Sequence, residues 1–311
     1  MNNYPKLSII VPTYNRQNYL KECLDSIINQ NYPNLEIVVT DDNSTDNTES
    51  IVKKYIKNYP FIKYVKNKKY PQGPNGNKNN GIDYATGELI GIFDDDDTMV
   101  DGALKLMVDK FLEGYDVVMG NCKIISNRID NGKFSGFGLN ESKKVNWQDY
   151  LCGKIYGEYW SIFKKEILGD KRFDTDIYGG EGTLWRGLLK NKKIYYIHKA
   201  VRNYRINENS VTHNMVNKAD IIIKNYERDI EYYGKEMKKY CPCYLATIYK
   251  GASYFAKLSN QYKKGFKYIF EAISLCSKYK ASYIMFIVMF LPKKIVLFLS
   301  KIRVKFKKCL I

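Results

Sequence analysis

Two acidic runs stand where an open α/β chain does its chemistry. Asp94-Asp95-Asp96-Asp97 follows directly on the apolar stretch 89–93, and Asp41-Asp42-Asn43-Ser44-Thr45-Asp46 follows the stretch 35–40. Four adjacent carboxylates repel one another, and a divalent cation relieves that repulsion. Magnesium or manganese takes oxygen ligands and keeps positions open for substrate phosphates, so one or two of these aspartates plus a nucleotide diphosphate would complete a shell. The plain alternative is an acidic surface turn. In the other run, a carboxylate at a strand end can accept a hydrogen bond from a nucleobase while Asn and Ser hold the loop, although the same residue types also suit the N-cap of a following helix. With only His198 and His213 in the chain, a histidine-rich metal centre is excluded.

The elements that must position these residues follow from hydrophobic periodicity. Stretches 7–11 and 35–39 are short apolar runs of the kind that form buried parallel strands. Between them Tyr19, Leu20, Cys23, Leu24, Ile27 and Ile28 recur at three-and-four spacing, an amphipathic helix ending near Gln30. A helix over 48–59, a strand over 61–65, a Gly/Asn/Pro-rich loop over 70–80, a short helix, a strand over 88–93, a helix over 104–112 and a strand over 115–119 continue the alternation. That order predicts an α/β open sheet, whose ligands bind at the carboxyl ends of its strands. Residues 121–180 are less regular and are assigned to the acceptor-facing half. From about Met215 strand signals vanish, and helices are expected over 218–233, 243–258, 262–277 and 282–308, the last interrupted at Pro292.

The net charge of +17 is unevenly placed, with +3 over residues 1–215 and +14 over residues 216–311. No acid follows Glu271, whereas Lys278, Lys280, Lys293, Lys294 and the basic residues of 301–308 interleave with an apolar run. That pattern suits an anionic membrane surface, with compositional drift as the alternative. The apolar core 283–291 is too short for the roughly 20 residues that cross a bilayer, so an interfacial anchor is expected rather than a span. No nucleic-acid module is visible. The seven cysteines are too few and irregular for a disulfide framework, and Cys241-Pro242-Cys243 lacks the C-x-x-C spacing, so unpaired structural cysteines and a reducing cytosol are expected.

The motifs taken together resemble the family 2 glycosyltransferases of the GT-A fold. The resemblance rests on Ser8-Ile9-Ile10-Val11-Pro12-Thr13-Tyr14-Asn15-Arg16, the run from Asp41 to Asp46, Asn79-Asn80-Gly81-Ile82 with Ala85-Thr86-Gly87-Glu88, and the four aspartates. It covers roughly residues 6–213 and implies a Rossmann-like, mostly parallel sheet flanked by helices. A catalytic domain over 1–214 would then precede a helical basic region over 215–311. The resemblance further implies that Pro12, Tyr14 and Arg16 line a nucleotide pocket, that Asp41 holds the uracil edge of a UDP-sugar, and that Lys78 and Asn79 stand near the donor. Asp94 and Asp96 match the outer positions of the family's Asp-x-Asp motif, with Asp96 the direct ligand of Mn2+ or Mg2+, Asp94 near the ribose or sugar, and Asp95 between them. Tyr204-Arg205 resembles a segment that closes over the donor diphosphate, although Asn207 stands where the family often has His.

An inverting transfer needs a base for the acceptor hydroxyl. The family supplies it from a Glu-Asp pair before a helix, where this chain has Gly180-Glu181-Gly182, leaving Glu181 as the candidate base. The expectation is a metal-dependent inverting glycosyltransferase that moves a sugar from a nucleotide donor to a glycan or lipid-linked oligosaccharide, peripheral at the cytoplasmic face of the membrane. The competing expectation, motivated by Gly182, is a catalytically degenerate protein that binds nucleotide-sugar or glycan without turnover.

Overall fold

The computed structural model of the chain describes residues 4–126, 129–177, 179–206 and 218–299. Asn207, His213 and the basic stretch 301–308 lie outside them. The chain divides into two compact units, Met1–Ser210 and Val211–Ile311.

The first unit alternates strand and helix from its start, through β1 (Leu7–Thr13), α1 (Gln17–Ile28), β2 (Leu35–Asp41), α2 (Thr48–Asn58), β3 (Ile62–Lys66), α3 (Pro74–Tyr84) and β4 (Leu89–Ile92). There follow β5 (Thr98–Met99), α4 (Ala103–Leu112), β6 (Val117–Ser126), β7 (Ile129–Phe134), β8 (Gly136–Phe137), β9 (Lys143–Val145) and α5 (Trp147–Leu151). The unit ends with β10 (Tyr156–Gly157), β11 (Tyr159–Lys164), α6 (Glu181–Leu189) and β12 (Ile194–Ile206). The main sheet runs β3-β2-β1-β4-β11-β6-β12-β5, with β7 on β6 and β9 on β12, while β8 and β10 form a separate ribbon. β1 to β4 pair in parallel, β11 is antiparallel to both β4 and β6, and β12 is parallel to β6. The carboxyl ends of β1, β2, β4, β6 and β12 therefore share one edge with the amino end of β11. The residues of β1 and β2 are buried on both faces, as continuous apolar strands require.

Two expectations are corrected. The stretch 70–80 is not all loop, because α3 starts at Pro74. Its sequence PNGNKNNGIDY carries almost no apolar periodicity, yet residues 75–82 are buried, so tertiary hydrogen bonds hold a helix that local propensity disfavours. Gly81 is required there, since a Cβ would lie 2.4 Å from Ile10 and 2.8 Å from Thr40. Nor are the structural cysteines all unpaired. Cys23 and Cys122 are free and buried, but Cys243 and Cys276 form a disulfide with Cα atoms 4.9 Å apart. The second unit comprises α7 (Ala219–Tyr240), α8 (Pro242–Leu258), α9 (Tyr262–Leu275) and α10 (Lys280–Val288). The packing of α8 on α9 brings the start of one beside the end of the other, which is what places those two thiols together.

Opposite the carboxyl edge, a buried glutamate locks the amino edge of the sheet. Glu36 on β2 accepts from the Ser8 hydroxyl, from Thr86 N at 2.7 Å and from the Thr86 hydroxyl at 2.7 Å, and pairs with Lys63 at 2.7 Å and Lys6 at 3.3 Å. Gly87 N in turn donates to the Ser8 hydroxyl, and a Cβ at Gly87 would lie 2.6 Å from Ser8 N. The Ala85–Glu88 motif is thus an architectural clasp. Burial opposes the charge of Glu36, but Lys63, Ser8 and Thr86 outweigh it and hold the carboxyl down to about 2. Because the folded state favours the ionised form, this contribution is fully present above the unfolded value near 4.5 and is lost as pH falls through about 2; it amounts to about 3 kcal/mol at most. Glu36→Gln is expected to lower the melting temperature at pH 7, with the gap to wild type narrowing as the pH of the melts is taken from 5 towards 2.

Candidate active site

The carboxyl ends of β1, β2 and β4 set the site. Thr13 is in register with Asp41, Ile10 with Ile92, and Phe93 N donates to Ile10 O at 2.8 Å, which delivers both acidic runs to one edge. The loops after β1 and β2 are stitched together. Asn15 adopts a left-handed backbone (φ 52°), its amide donates to the Ser44 hydroxyl at 2.9 Å, and its side-chain oxygen accepts from Thr45 N at 2.8 Å. Asp46 accepts from Gln17 N at 3.2 Å and Thr48 N at 3.0 Å, so the end of the run does serve the start of α2.

Asp41 is fully buried, and its two oxygens accept from Ser44 N at 2.9 Å and from the Tyr64 hydroxyl. Both of its oxygens are thus engaged within the loop and by Tyr64. Asp42 accepts from Asn67 at 2.8 Å and from Gly73 N at 2.7 Å, fixing the entry to α3. Pro12 is half-buried and Tyr14 is 48% exposed on the same loop.

Helix α3 works through its amides. Asn77 donates to Thr13 O at 3.1 Å and Thr40 O at 2.9 Å, tying β1 and β2 to the helix. Asn75 donates to Asp174 O at 2.7 Å and Gly179 O at 3.0 Å, anchoring the approach to α6. Asn79, expected near a donor, uses both ends of its amide on the Phe173 backbone, donating to its carbonyl at 2.9 Å and accepting from its N–H at 2.8 Å. That pairing, at 1% exposure, corrects the expectation: Asn79 positions the segment before α6.

Lys78 is the residue of this helix that reaches the acids. Its ammonium contacts Glu181 Oε1 and lies 3.6 Å from Asp94 Oδ1. Burial disfavours its charge, but Glu181 and Asp94 outweigh burial and raise it above the ordinary lysine value.

The four aspartates alternate. Asp94 and Asp96 are partly exposed, while Asp95 and Asp97 are buried, at 7% and 1%. Burial opposes the charge of Asp94, yet Lys78 and Arg202, the latter 3.2 Å from Oδ2, hold it below the usual carboxylate range. Asp96 pairs with Arg16 at 3.0 Å. Burial pushes Asp95 up to about 7, aided by Asp96 and Asp94, and pushes Asp97 to about 7 despite Arg202.

Arg202 is the site residue that the motifs did not reveal. It is 4% exposed, with Nε 3.0 Å from Asp97, Nη1 3.2 Å from Asp94 and Nη2 3.8 Å from Glu158. Two irregularities in the pairing of β12 with β6, between Ile197 and Ala200 and between Ala200 and Arg202, re-aim the strand. Val201 packs where a Cβ on Gly120 would stand 2.5 Å away, and Arg202 turns to the aspartates. In the sequence it belongs to no motif, standing between Val201 and Asn203 just ahead of Tyr204-Arg205. Glu158, just before β11, was missed for the same reason. Arg205 donates its backbone N–H to Asp97 at 2.7 Å and its guanidinium to Glu22 at 2.6 Å, and both Arg205 and Arg16 lie against the Tyr19 ring, at 5.5 and 5.8 Å.

Glu181 opens α6 behind two left-handed glycines, Gly179 (φ 67°) and Gly180 (φ 71°). His198 packs edge-on to Phe134 and hydrogen-bonds the Tyr196 hydroxyl at 2.9 Å, a packing role. Among the described residues no three His, Cys, Asp or Glu side chains converge as a cation cage. The accessible donors are the oxygens of Asp94 and Asp96, a set that fits a hard divalent cation completing its shell with substrate phosphates.

Residues 8–169 match the sequence profile described as glycosyl transferase family 2. A GalNAc(5)-diNAcBac-PP-undecaprenol beta-1,3-glucosyltransferase of Campylobacter jejuni is 43% identical over 309 residues, covering 96% of this chain and 98% of its own. An Escherichia coli UDP-Glc:alpha-D-GlcNAc-diphosphoundecaprenol beta-1,3-glucosyltransferase, WfgD, is 28% identical over 67% of this chain and 80% of its own. Among solved structures, S. aureus TarS in complex with UDP-GlcNAc superposes with a TM-score of 0.59 at 19% identity, covering 89% of this chain and 92% of that one. A mannosyltransferase of Pyrobaculum calidifontis in complex with GDP-Man and Mn2+ superposes at 0.54 and 19%, covering 89% of each chain. A mostly parallel sheet that carries its acidic motifs on one edge, and this degree of identity over nearly the whole length, make the chain a glycosyltransferase of family 2 with the GT-A fold.

Proposed function

We propose that this glycosyltransferase moves glucose from UDP-glucose to a hydroxyl of a glycan carried on a polyprenyl diphosphate, with inversion at the anomeric carbon. Both relatives are named as β-1,3-glucosyltransferases on diphosphoundecaprenol-linked acceptors, and one is named for UDP-glucose. UDP-glucose holds its sugar in the α configuration, so a β product calls for one displacement from the opposite face. The observation that carries the reading is Lys78, a buried cation joined at once to Glu181 and Asp94.

In this reading Pro12, Tyr14 and the wall behind them, held by Asp41, Ser44 and Tyr64, receive the nucleotide. Arg16 and Arg205, gathered on Tyr19, face the diphosphate. Asp94 and Asp95 complete the donor side, and Asp96 with Asp94 would hold Mn2+ or Mg2+. Bound there, the cation would offset the charge that builds on UDP as it departs. The acceptor hydroxyl gives its proton to Glu181 as its oxygen bonds to C1, and the bond from C1 to the diphosphate oxygen breaks. Lys78 steadies the carboxylate before the transfer and the departing charge after it.

The second unit supplies the attachment. No described helix is long and apolar enough to cross a membrane. Ile284, Ile287, Phe290 and Phe298 are 62–67% exposed, and Lys278, Lys280, Lys293 and Lys294 neighbour them in sequence. Such a surface suits an anionic leaflet and supports attachment at the cytoplasmic face of the membrane, beside a lipid-linked acceptor.

UDP release from UDP-glucose is expected to need manganese or magnesium and to stop with a chelator or with Asp96→Ala; full activity of Asp96→Ala would remove Asp96 as the ligand. Glu181→Gln is expected to cost about 10²–10⁴ in turnover while UDP still binds by calorimetry. Flotation with phosphatidylglycerol vesicles is expected to retain the protein at low salt and to lose it with Ile287→Asp combined with Phe290→Asp. Equal flotation with neutral phosphatidylcholine vesicles would count against an electrostatic attachment.

A further inference from the structure

The ribbon of β8 and β10 carries the most exposed aromatic pair of the first unit. Phe137 and Tyr156 are opposite each other in the ribbon, 50% and 59% exposed, and their rings stack with centroids 5.3 Å apart and planes 20° from parallel. Aromatic rings left in water in this way mark a surface made for something to cover them.

The ribbon is rigidly built. Gly157 (φ 91°) and Gly138 (φ 98°) lie so close to Ser135 O and Lys154 O that a Cβ would come within 2.1 and 1.9 Å. The Ser135 hydroxyl donates to Glu158 O at 3.0 Å, the Tyr159 hydroxyl to Phe137 O at 2.7 Å, and Asn121 to Gly136 O at 3.2 Å. Two residues beyond Tyr156 stands Glu158, whose side chain is 53% exposed and lies 3.8 Å from the Arg202 guanidinium. Burial of its surroundings, with Asp94 and Glu181 nearby, raises this carboxyl above its ordinary value, while Arg202 and Lys78 oppose the shift. Through Arg202, which also touches Asp94, Glu158 joins the charge cluster that Lys78 links to Glu181, the residue followed by Gly182 where the family pattern has a second carboxylate.

We propose that Phe137, Tyr156 and Glu158 form a sugar-binding subsite for the acceptor glycan, in which the stacked rings take the apolar face of a pyranose and Glu158 accepts hydrogen bonds from its hydroxyls. The negative face of an aromatic ring attracts the polarised C–H groups of a pyranose, and an ionised carboxylate accepts at two oxygens, the complement of a hydroxyl rim. The subsite supplies from β10–β11 a carboxylate that the chain lacks at Gly182, and it orients the hydroxyl towards Glu181. A sugar is favoured over a protein or a lipid because an acceptor-side carboxylate and a two-ring platform are joined here by two residues of rigid backbone.

This inference rests on the transferase reading above, and the experiment keeps the two apart. Saturation-transfer NMR on the full chain, with UDP and an N-acetylgalactosamine trisaccharide present together, reads each ligand separately. Wild type is expected to saturate the ring protons of the trisaccharide. Tyr156→Ala and Phe137→Ala are expected to weaken its binding about tenfold, a loss of about 1.4 kcal/mol, and Glu158→Gln to weaken it as well, while the uracil protons of UDP remain saturated in every variant. Uracil saturation also shows that each variant is folded. A trisaccharide that wild type does not saturate, or that the variants saturate equally well, overturns the subsite. Absent uracil saturation in wild type would instead overturn the nucleotide-sugar reading on which it rests.

Discussion

Four consecutive carboxylates at the end of a buried strand must be neutralised, and the answer to that constraint organises the first unit. Arg202 and Lys78 reach the run from two sides, Arg202 touching Asp94 and Asp97 and Lys78 touching Asp94. Neither cation arrives by default. Arg202 is turned inward by the bulged pairing of β12, and Lys78 rides on a helix whose neighbours are asparagines bonded to the backbone around them. Burial still pushes the inner two, Asp95 and Asp97, up to about 7. The outer pair is the partly exposed one, Asp94 held by Lys78 and Arg202 and Asp96 by Arg16.

The antiparallel strand β11 explains how Asp94 and Glu158 come to one edge of the sheet. Inserted between β4 and β6, it runs backwards, so its start lies at the edge where β4 ends. Trp160 fastens that start, donating from its indole to Ile92 O at 2.8 Å and standing edge-on to Phe93 with centroids 5.4 Å apart. Gly91 is the only residue type that admits this ring, because a Cβ there would lie 2.8 Å from it. One clamp thereby fixes the end of β4, from which the aspartates follow, and the beginning of β11, before which Glu158 stands.

The early strands and both acidic runs were legible in the sequence because each signal is local: an apolar run followed by a polar cluster. Apolar spacing also revealed α1, and resemblance revealed the family. What stayed hidden depends on distant partners. Helix α3 has the composition of a loop, and only bonds to Thr13, Thr40, Phe173 and Asp174 make its asparagines helical and buried. Arg202 and Glu158 sit in no motif and acquire meaning from a bulge and from a reversed strand. Asp41 and Asn79 show the converse, since the motif found the residues but not their partners, and both are spent on holding backbone and neighbouring side chains. The Cys243–Cys276 pair was missed because its sequence separation of 33 shows nothing of two helices packing end to start.

The position of Glu181 gives the site its coupling. It is the first residue of α6, where unpaired N–H groups favour a negative charge, and it is also bound to Lys78. Lys78 is at the same time 3.6 Å from Asp94, so its charge is divided between the two sides of the cleft. In the proposed reaction, a proton that reaches Glu181 cancels one of the two claims on that ammonium, and its field then falls more fully on Asp94, where the proposed displacement builds negative charge on the departing diphosphate. In that proposed reaction, gain of the acceptor's proton and loss of the donor's leaving group are felt by a single buried cation.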